Sequence, residues 1–150
     1  MGTNYKGSKK TVSALNSYIK LIRSAESLSS KLNLVLNDYG LTESQFGVLD
    51  SLFHLGPMKQ KEIGKKILKS GGNVTMVINN LEKQGMVQRM KSEKDKRQFI
   101  IHLTPKGKII IQELLPGIIK KIKKHFEILD KDEQNELQRL CKIIGLQIRI

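Results

Sequence analysis

The apolar positions of this chain keep a helical period, switch briefly to short extended runs, and return to a helical period. From Val12, Leu15, Tyr18, Ile19, Ile22, Ala25, Leu28, Leu32, Val35, Leu36 and Tyr39 recur at helical spacing. They predict one long helix ended by Gly40, which needs partners to pack on. Thr42-Glu43-Ser44-Gln45 is a capping box, with Leu41 and Phe46 at the two positions of a hydrophobic staple. The helix it opens carries Val48, Leu49, Leu52 and Phe53 and stops at Gly56-Pro57. A short helix over 60–68 buries Ile63 and Ile67, and Ser70-Gly71-Gly72 reads as a turn. A further helix over 73–84 buries Val74, Val77, Ile78 and Leu81, with Gly85 placed to cap its C-terminus.

The period then changes. Residues 86–90 and 98–103 are short apolar-rich runs flanking the charged stretch 91–97, which predicts a hairpin with a long charged tip. Thr104-Pro105 restarts a helix with Thr as N-cap and Pro in the first turn. That helix runs through Leu129, with a kink expected at Pro116. Asp130-x-x-Glu133 opens the last one. The predicted fold is mainly α: a winged helix-turn-helix with a two-stranded wing and a helical dimerisation lobe from both termini. Residues 1–10 form a mobile basic tail, 11–56 and 105–150 the lobe, and 57–104 the winged reading head, with the capped second helix bridging the two. The first helix, the end of the fifth and the last carry more apolar surface than a small head can cover. This predicts a homodimer through Leu15, Ile19, Ile118, Ile122, Leu140, Ile144 and Ile148.

Charge sharpens the picture. The 150 residues carry a net charge of +13, which favours polyanionic partners. Residues 58–108 hold thirteen Lys or Arg against four acids, so +9 of that charge sits on the predicted head. A lysine-rich helix such as 59–69 is by itself an ordinary solvated face. Joined to a helix-turn-helix and a basic hairpin, it points to double-stranded DNA, with one helix in the major groove and the wing on backbone or minor groove. No apolar run is long enough to span a bilayer, and the polar start carries no signal peptide. Lys6 stands where a myristoylation motif needs Ser or Thr. The single Cys141 excludes an intrachain disulfide and lies on an apolar stripe, as a buried structural thiol would. The expected location is the cytoplasm.

His54, His102 and His125 are scattered, no phosphate-binding glycine loop is present, and Cys141 has no evident His partner. The sequence therefore predicts no metal, no cofactor and no catalytic constellation, hence no enzyme. The alternative to a DNA-binding regulator is a winged-helix module for protein or RNA contacts without operator specificity.

Asp95-x-Arg97 followed by Ile100-Ile101-His102-Leu103-Thr104-Pro105-Lys106-Gly107 resembles the wing signature of the MarR (multiple antibiotic resistance regulator) family. The stretch 73–87 is similar to that family's recognition helix and its exit. The resemblance covers nearly the whole chain. It implies a dimeric transcription regulator, a repressor on a pseudo-palindromic operator, relieved by a small aromatic or phenolic effector or by thiol oxidation. It implies that Arg97 enters the minor groove, that Asp95 braces the wing against Arg89, and that Lys96 lies at the same tip. Ser70, Asn73, Thr75, Met76, Asn79 and Asn80 would face the major groove, where Asn pairs with adenine and Thr or Met meets a thymine methyl. It further implies an effector pocket between lobe and head, for which Tyr18, Ile22, Phe46, Leu49, Phe53 and Leu114 are the candidates. Met76 and Asn80 stand where many members carry a basic residue, and Lys59 where Ser or Thr is usual, so the base preference is open.

Overall fold

The computed structural model describes residues 2–67, 71–93, 95 and 97–146. The order of elements is α1 (Lys9–Asn37), α2 (Glu43–Leu55), β1 (Met58–Lys59), α3 (Gln60–Lys66), α4 (Gly71–Lys83), β2 (Val87–Lys91), β3 (Phe99–Leu103), α5 (Pro105–Phe126) and α6 (Lys131–Leu146). Among the described residues, no helix is long and apolar enough to cross a membrane.

Helix ends follow local chemistry. Ser8 caps α1 by accepting from the Thr11 N–H, so the helix starts at Lys9, inside the stretch expected as a tail. Upstream, the Thr3 N–H donates to Asn16 Oδ1 at 2.7 Å. The predicted capping box of α2 is present: the Gln45 N–H donates to Thr42 Oγ1 at 3.2 Å and the Thr42 N–H to Gln45 Oε1 at 2.9 Å. Gly56, at φ 80°, ends that helix in a conformation that favours glycine. Asp130 and Glu133 cap α6 reciprocally, each accepting at 2.9 Å from the other's N–H. The α5 helix continues through Pro116 as far as Phe126.

Two local readings need correction. The wing sheet has three strands, in the order β1-β3-β2, all antiparallel. The added strand pairs Met58 with Ile101 and Lys59 with Ile100. Two residues are too short for alternation to register in the sequence, and Pro57 masks them as a loop. The glycine pair 71–72 is the first turn of α4 and not part of the preceding turn. Glycine costs about 1 kcal/mol per residue in a helix interior. Here the Thr75 hydroxyl donates back to the Gly71 carbonyl at 3.0 Å, and the buried Val74 and Ile78 hold the helix down.

One apolar core joins α1, α2 and α5 to the winged segment between α2 and α5. Leu36, Val48, Leu49, Ile63, Ile78, Leu81, Ile101, Ile111 and Leu114 are fully buried in it. The α2 helix is its hub, packed on α1, α3, α4, β3 and α5. The α4–β2 exit is then tied to the start of α5. Thr104 donates from its N–H to the Met86 carbonyl at 3.1 Å and from Oγ1 to the Gly85 carbonyl at 2.7 Å. Lys106 Nζ donates to the Gln84 carbonyl at 2.8 Å.

Outside this core the apolar residues divide. Ile118, expected at an interface between protomers, is buried inside the protomer, because α5 packs along α1 at that level. Leu15 and Ile19 are half-buried, while Ile122, Leu140 and Ile144 are exposed. Ile148 lies outside the described residues. No residue of α6 is buried within the chain. For the same reason Cys141 is exposed, against the expectation of a buried thiol: among the described residues, nothing buries its apolar stripe.

Candidate nucleic-acid interface

The α4 helix buries Val74, Ile78 and Leu81 and turns Asn73, Thr75, Met76, Asn79 and Asn80 outward. Residues 73, 76 and 80 follow three- and four-residue steps and so share one stripe, with 75 and 79 forming the row beside it. The structure therefore brings together on one exposed face five of the six residues expected to meet the major groove. The sixth, Ser70, lies outside the described residues.

Those five side chains differ in what they have free. Gln60, at the start of α3, donates through Nε2 to Thr75 Oγ1 at 2.6 Å, while that hydroxyl donates to the Gly71 carbonyl. The Thr75 hydroxyl thus links the start of α3 to the first turn of α4. Asn79 Oδ1 accepts from Arg89 Nη2 at 2.5 Å. Arg89 also donates through Nη1 to Glu82, whose other oxygen accepts the Arg89 N–H at 3.1 Å. Among the described residues, the side chains of Asn73 and Asn80 make no hydrogen bond within the chain.

The Arg89 arrangement corrects an expectation. Arg89 does not brace Asp95; it lies on β2 beside α4 and is paired there with Glu82. Asp95 instead organises the wing tip by itself. Its Oδ1 accepts from the Arg97 N–H at 3.1 Å and from Arg97 Nε at 3.3 Å, and its Oδ2 accepts from Gln98 Nε2 at 2.8 Å. Donation from the Arg97 backbone, then from Gln98, holds the Asp95 carboxyl below the ordinary aspartate range, with the Lys59 charge assisting. Arg97 is set on this loop with its side chain 93% exposed. Lys96 lies outside the described residues.

Sequence reasoning missed Gln60 and Glu82, which position other side chains. The available signal for Glu82 was an acid isolated in a basic segment, seven residues before Arg89. It also missed that Met90 and Phe99 are exposed on the wing strands, which the alternation of β2 and β3 encodes.

The six residues expected to line an effector pocket are not brought together around one space. Leu49 and Leu114 are fully buried in the core, whereas Tyr18 and Ile22 are exposed on α1. Phe46 and Phe53 pack against the core edge. An open cleft of about 500 Å³ lies instead at Leu52, Phe53, Pro57, His102, Leu103, Lys108 and Gln112, and Phe53 is the only one of the six to border it.

Comparison with known proteins bears on this geometry. The MarR family model matches residues 41–99, from the N-terminus of α2 to the wing. The HTH-type transcriptional regulator YkoM of Bacillus subtilis is 35% identical over 133 residues, spanning 89% of this chain and 86% of that protein. The fold matches Sco3205, a MarR family transcriptional regulator from Streptomyces coelicolor solved in complex with DNA. Its TM-score is 0.85 at 20% identity, over 99% of this chain and 94% of that one. NadR in complex with 4-hydroxyphenylacetate also matches, with a TM-score of 0.72 at 22% identity over 96% of this chain and 97% of that one. Identity at this level over nearly the whole of YkoM, together with a family match on the segment that carries α4 and the wing, makes this chain a member of the MarR family of DNA-binding transcription regulators.

Proposed function

We propose that this regulator is a repressor that binds a pseudo-palindromic operator as a homodimer and is released by a small aromatic or phenolic ligand. The observation that carries the reading is the pairing of an outward polar face on α4 with Arg97 held out on a braced wing tip. A helix face of amides, a methyl and a thioether is suited to base edges, and an extended guanidinium to a narrow, electronegative minor groove. A module for protein or RNA contacts has no need of such a probe. Ser70, Asn73, Thr75, Met76, Asn79 and Asn80 are the proposed major-groove set. Arg97 and Lys96 are the proposed wing contacts, with Asp95 as their support, while Arg89 supports Asn79 on α4.

The homodimer is favoured by the apolar residues that one protomer leaves uncovered at both ends of its chain. Tyr18, Ile119, Ile122, Leu140, Ile144 and Leu146 are exposed on α1, α5 and α6. A helix such as α6, with no buried residue, gains stability by laying its apolar stripe on a second copy. Two-fold symmetry would set the two α4 helices on successive major grooves, about 34 Å apart. The effector reading is supported by the open cleft beside Phe53, where an imidazole, an ammonium and an amide rim an apolar floor. The ligand in the NadR structure is of the kind such a site would take. Such a molecule releases DNA only in so far as it binds the DNA-incompetent arrangement better. A cytoplasmic regulator without catalytic activity is the corresponding biological role.

Selection of bound duplex fragments from a random pool tests the reading, run with and without simple phenols and aromatic acids. The expected result is an inverted repeat, with two protomers bound per site and release by at least one compound. Recovery of fragments with no common motif, or a monomer by light scattering at micromolar concentration, would refute it.

A further inference from the structure

We propose that Arg89 is a positioning residue that fixes the Asn79 amide as a hydrogen-bond donor toward DNA, so that α4 selects guanine and not adenine beneath Asn79. The inference deepens the operator reading above and rests on it. An asparagine that recognises adenine must use both ends of its amide: Oδ1 accepts from N6 and Nδ2 donates to N7. In this protein the oxygen is turned onto a guanidinium, which takes one of its two lone pairs. Arg89 Nη2 donates to Asn79 Oδ1 at 2.5 Å. A guanidinium has donors and no acceptor, so the amide has one possible orientation in this contact, with oxygen toward Arg89 and nitrogen away from it.

Arg89 is itself held. Its Nη1 and its backbone N–H both donate to the Glu82 carboxylate, one oxygen each. Glu82 lies on α4 one residue past the buried Leu81, and Arg89 on β2 between the exposed Gln88 and Met90. The Arg89 side chain is 20% exposed, so most of its surface is spent on protein contacts. Its second nitrogen therefore reaches Asn79 from a fixed base, and Asn79 is oriented before any DNA arrives. With Oδ1 turned onto the guanidinium, the outward edge of Asn79 is its NH2 group, which carries two hydrogens. In the major groove guanine offers two adjacent acceptors, O6 and N7, while adenine offers N7 beside a donor that would face the NH2 group. Donor against donor disfavours adenine. Thymine, with a single acceptor at O4, ranks between the two.

The test is competition binding to the operator recovered from the fragment selection, with the four bases exchanged at each pair of one half-site. It compares the parent, Asn79→Ala, Arg89→Met and the double variant, each checked for folding by its melting curve. The parent is expected to prefer guanine over adenine at one pair by about fivefold or more, the lower end of a specific base contact. Asn79→Ala should remove that preference. Arg89→Met should move it toward adenine, because the freed amide can then pair with both its ends. In the double variant Arg89→Met should add nothing to Asn79→Ala on base preference, whatever it does to overall affinity. Should Arg89→Met fail to fold, Glu82→Gln loosens the same anchor and is expected to shift preference in the same direction. A parent preference for adenine at that pair would overturn the inference, as would an Arg89→Met effect on base choice that survives in the Asn79→Ala background. If Asn79→Ala leaves every preference unchanged while the parent still selects an inverted repeat, the inference falls and the operator reading stands. If the parent selects no sequence, both fall.

Discussion

Replacing Gly107 by alanine strikes the junction between the α4–β2 exit and the start of α5. Gly107 sits in the first turn of α5, where the Gly107 N–H donates to the capping Thr104 hydroxyl at 3.1 Å. A β-carbon at this position would meet the Met86 carbonyl oxygen at 2.1 Å, its carbon at 3.0 Å and Leu103 Cδ1 at 2.9 Å. The Leu103 methyl can rotate away. The Met86 carbonyl cannot, because it is backbone at the α4–β2 exit and accepts the Thr104 N–H. Relief therefore requires α5 and the exit to separate by about 1 Å, the gap between 2.1 Å and an ordinary carbon–oxygen contact. Overpacking that a core can absorb by small shifts costs about 1–3 kcal/mol. Weakening the two Thr104 hydrogen bonds adds about 0.5–1.5 kcal/mol for each. The expected loss is about 3 kcal/mol, which for a chain of this size lowers Tm by about 6–12 °C. Urea titration and thermal melting, at one fixed protein concentration, measure it. A Gly107→Ala variant that melts within about 2 °C of the parent would refute the close approach of α5 to Met86.

Other substitutions probe the remaining structure. Among the described residues, Gly71 has no neighbour within 4 Å of an added β-carbon, and it lies in the first turn of α4, so Gly71→Ala should stabilise by about 0.4–1 kcal/mol in the same melts. Thr42→Ala removes the capping box of α2, and a loss of about 1 kcal/mol is expected in urea. The Asp95 pKa is depressed in the folded state, so its contribution to the wing is fully present above the ordinary aspartate value, about 3.9. It is lost as pH falls through the lowered value. Carboxyl chemical shifts should therefore show Asp95 titrating below that value, and the wing contacts of Arg97 and Gln98 unchanged between about pH 5 and 8.

The readable and unreadable parts of this molecule differ in the range of the interactions that set them. Capping chemistry is local, so Thr42/Gln45, Thr104-Pro105 and Asp130/Glu133 could be placed from the sequence, and so could the glycine exit at Gly85, with φ 71°. The outward face of α4 was legible because helical periodicity assigns Val74, Ile78 and Leu81 to the core. Tertiary choices were not. Two acids lay within plausible reach of Arg89, and only the packing of β2 beside α4 selects Glu82 over Asp95. Ile118 and Ile122 fall on the same apolar stripe of α5, yet the first is covered by the protomer and the second is exposed. The apolar pattern around Cys141 signalled burial, whereas α6 buries none of its residues and the thiol is exposed. The strand Met58–Lys59 is defined by its partner β3 and carries no pattern of its own.

The most direct measurement of the central reading is the salt dependence of affinity for an operator duplex, for the parent and for Arg97→Ala. With +9 of the chain's charge in residues 58–108 and the proposed two protomers per duplex, six to ten phosphate contacts are expected. Log affinity should then fall against log salt with a slope of about −5 to −9, which is a loss of about a thousandfold or more between 50 and 200 mM. Arg97→Ala should reduce the slope by about one per head with the melting temperature unchanged, because its side chain is 93% exposed. An affinity indifferent to salt, or an Arg97→Ala variant indistinguishable from the parent in both slope and affinity, would contradict the assignment of α4 and the wing as the DNA-reading surface.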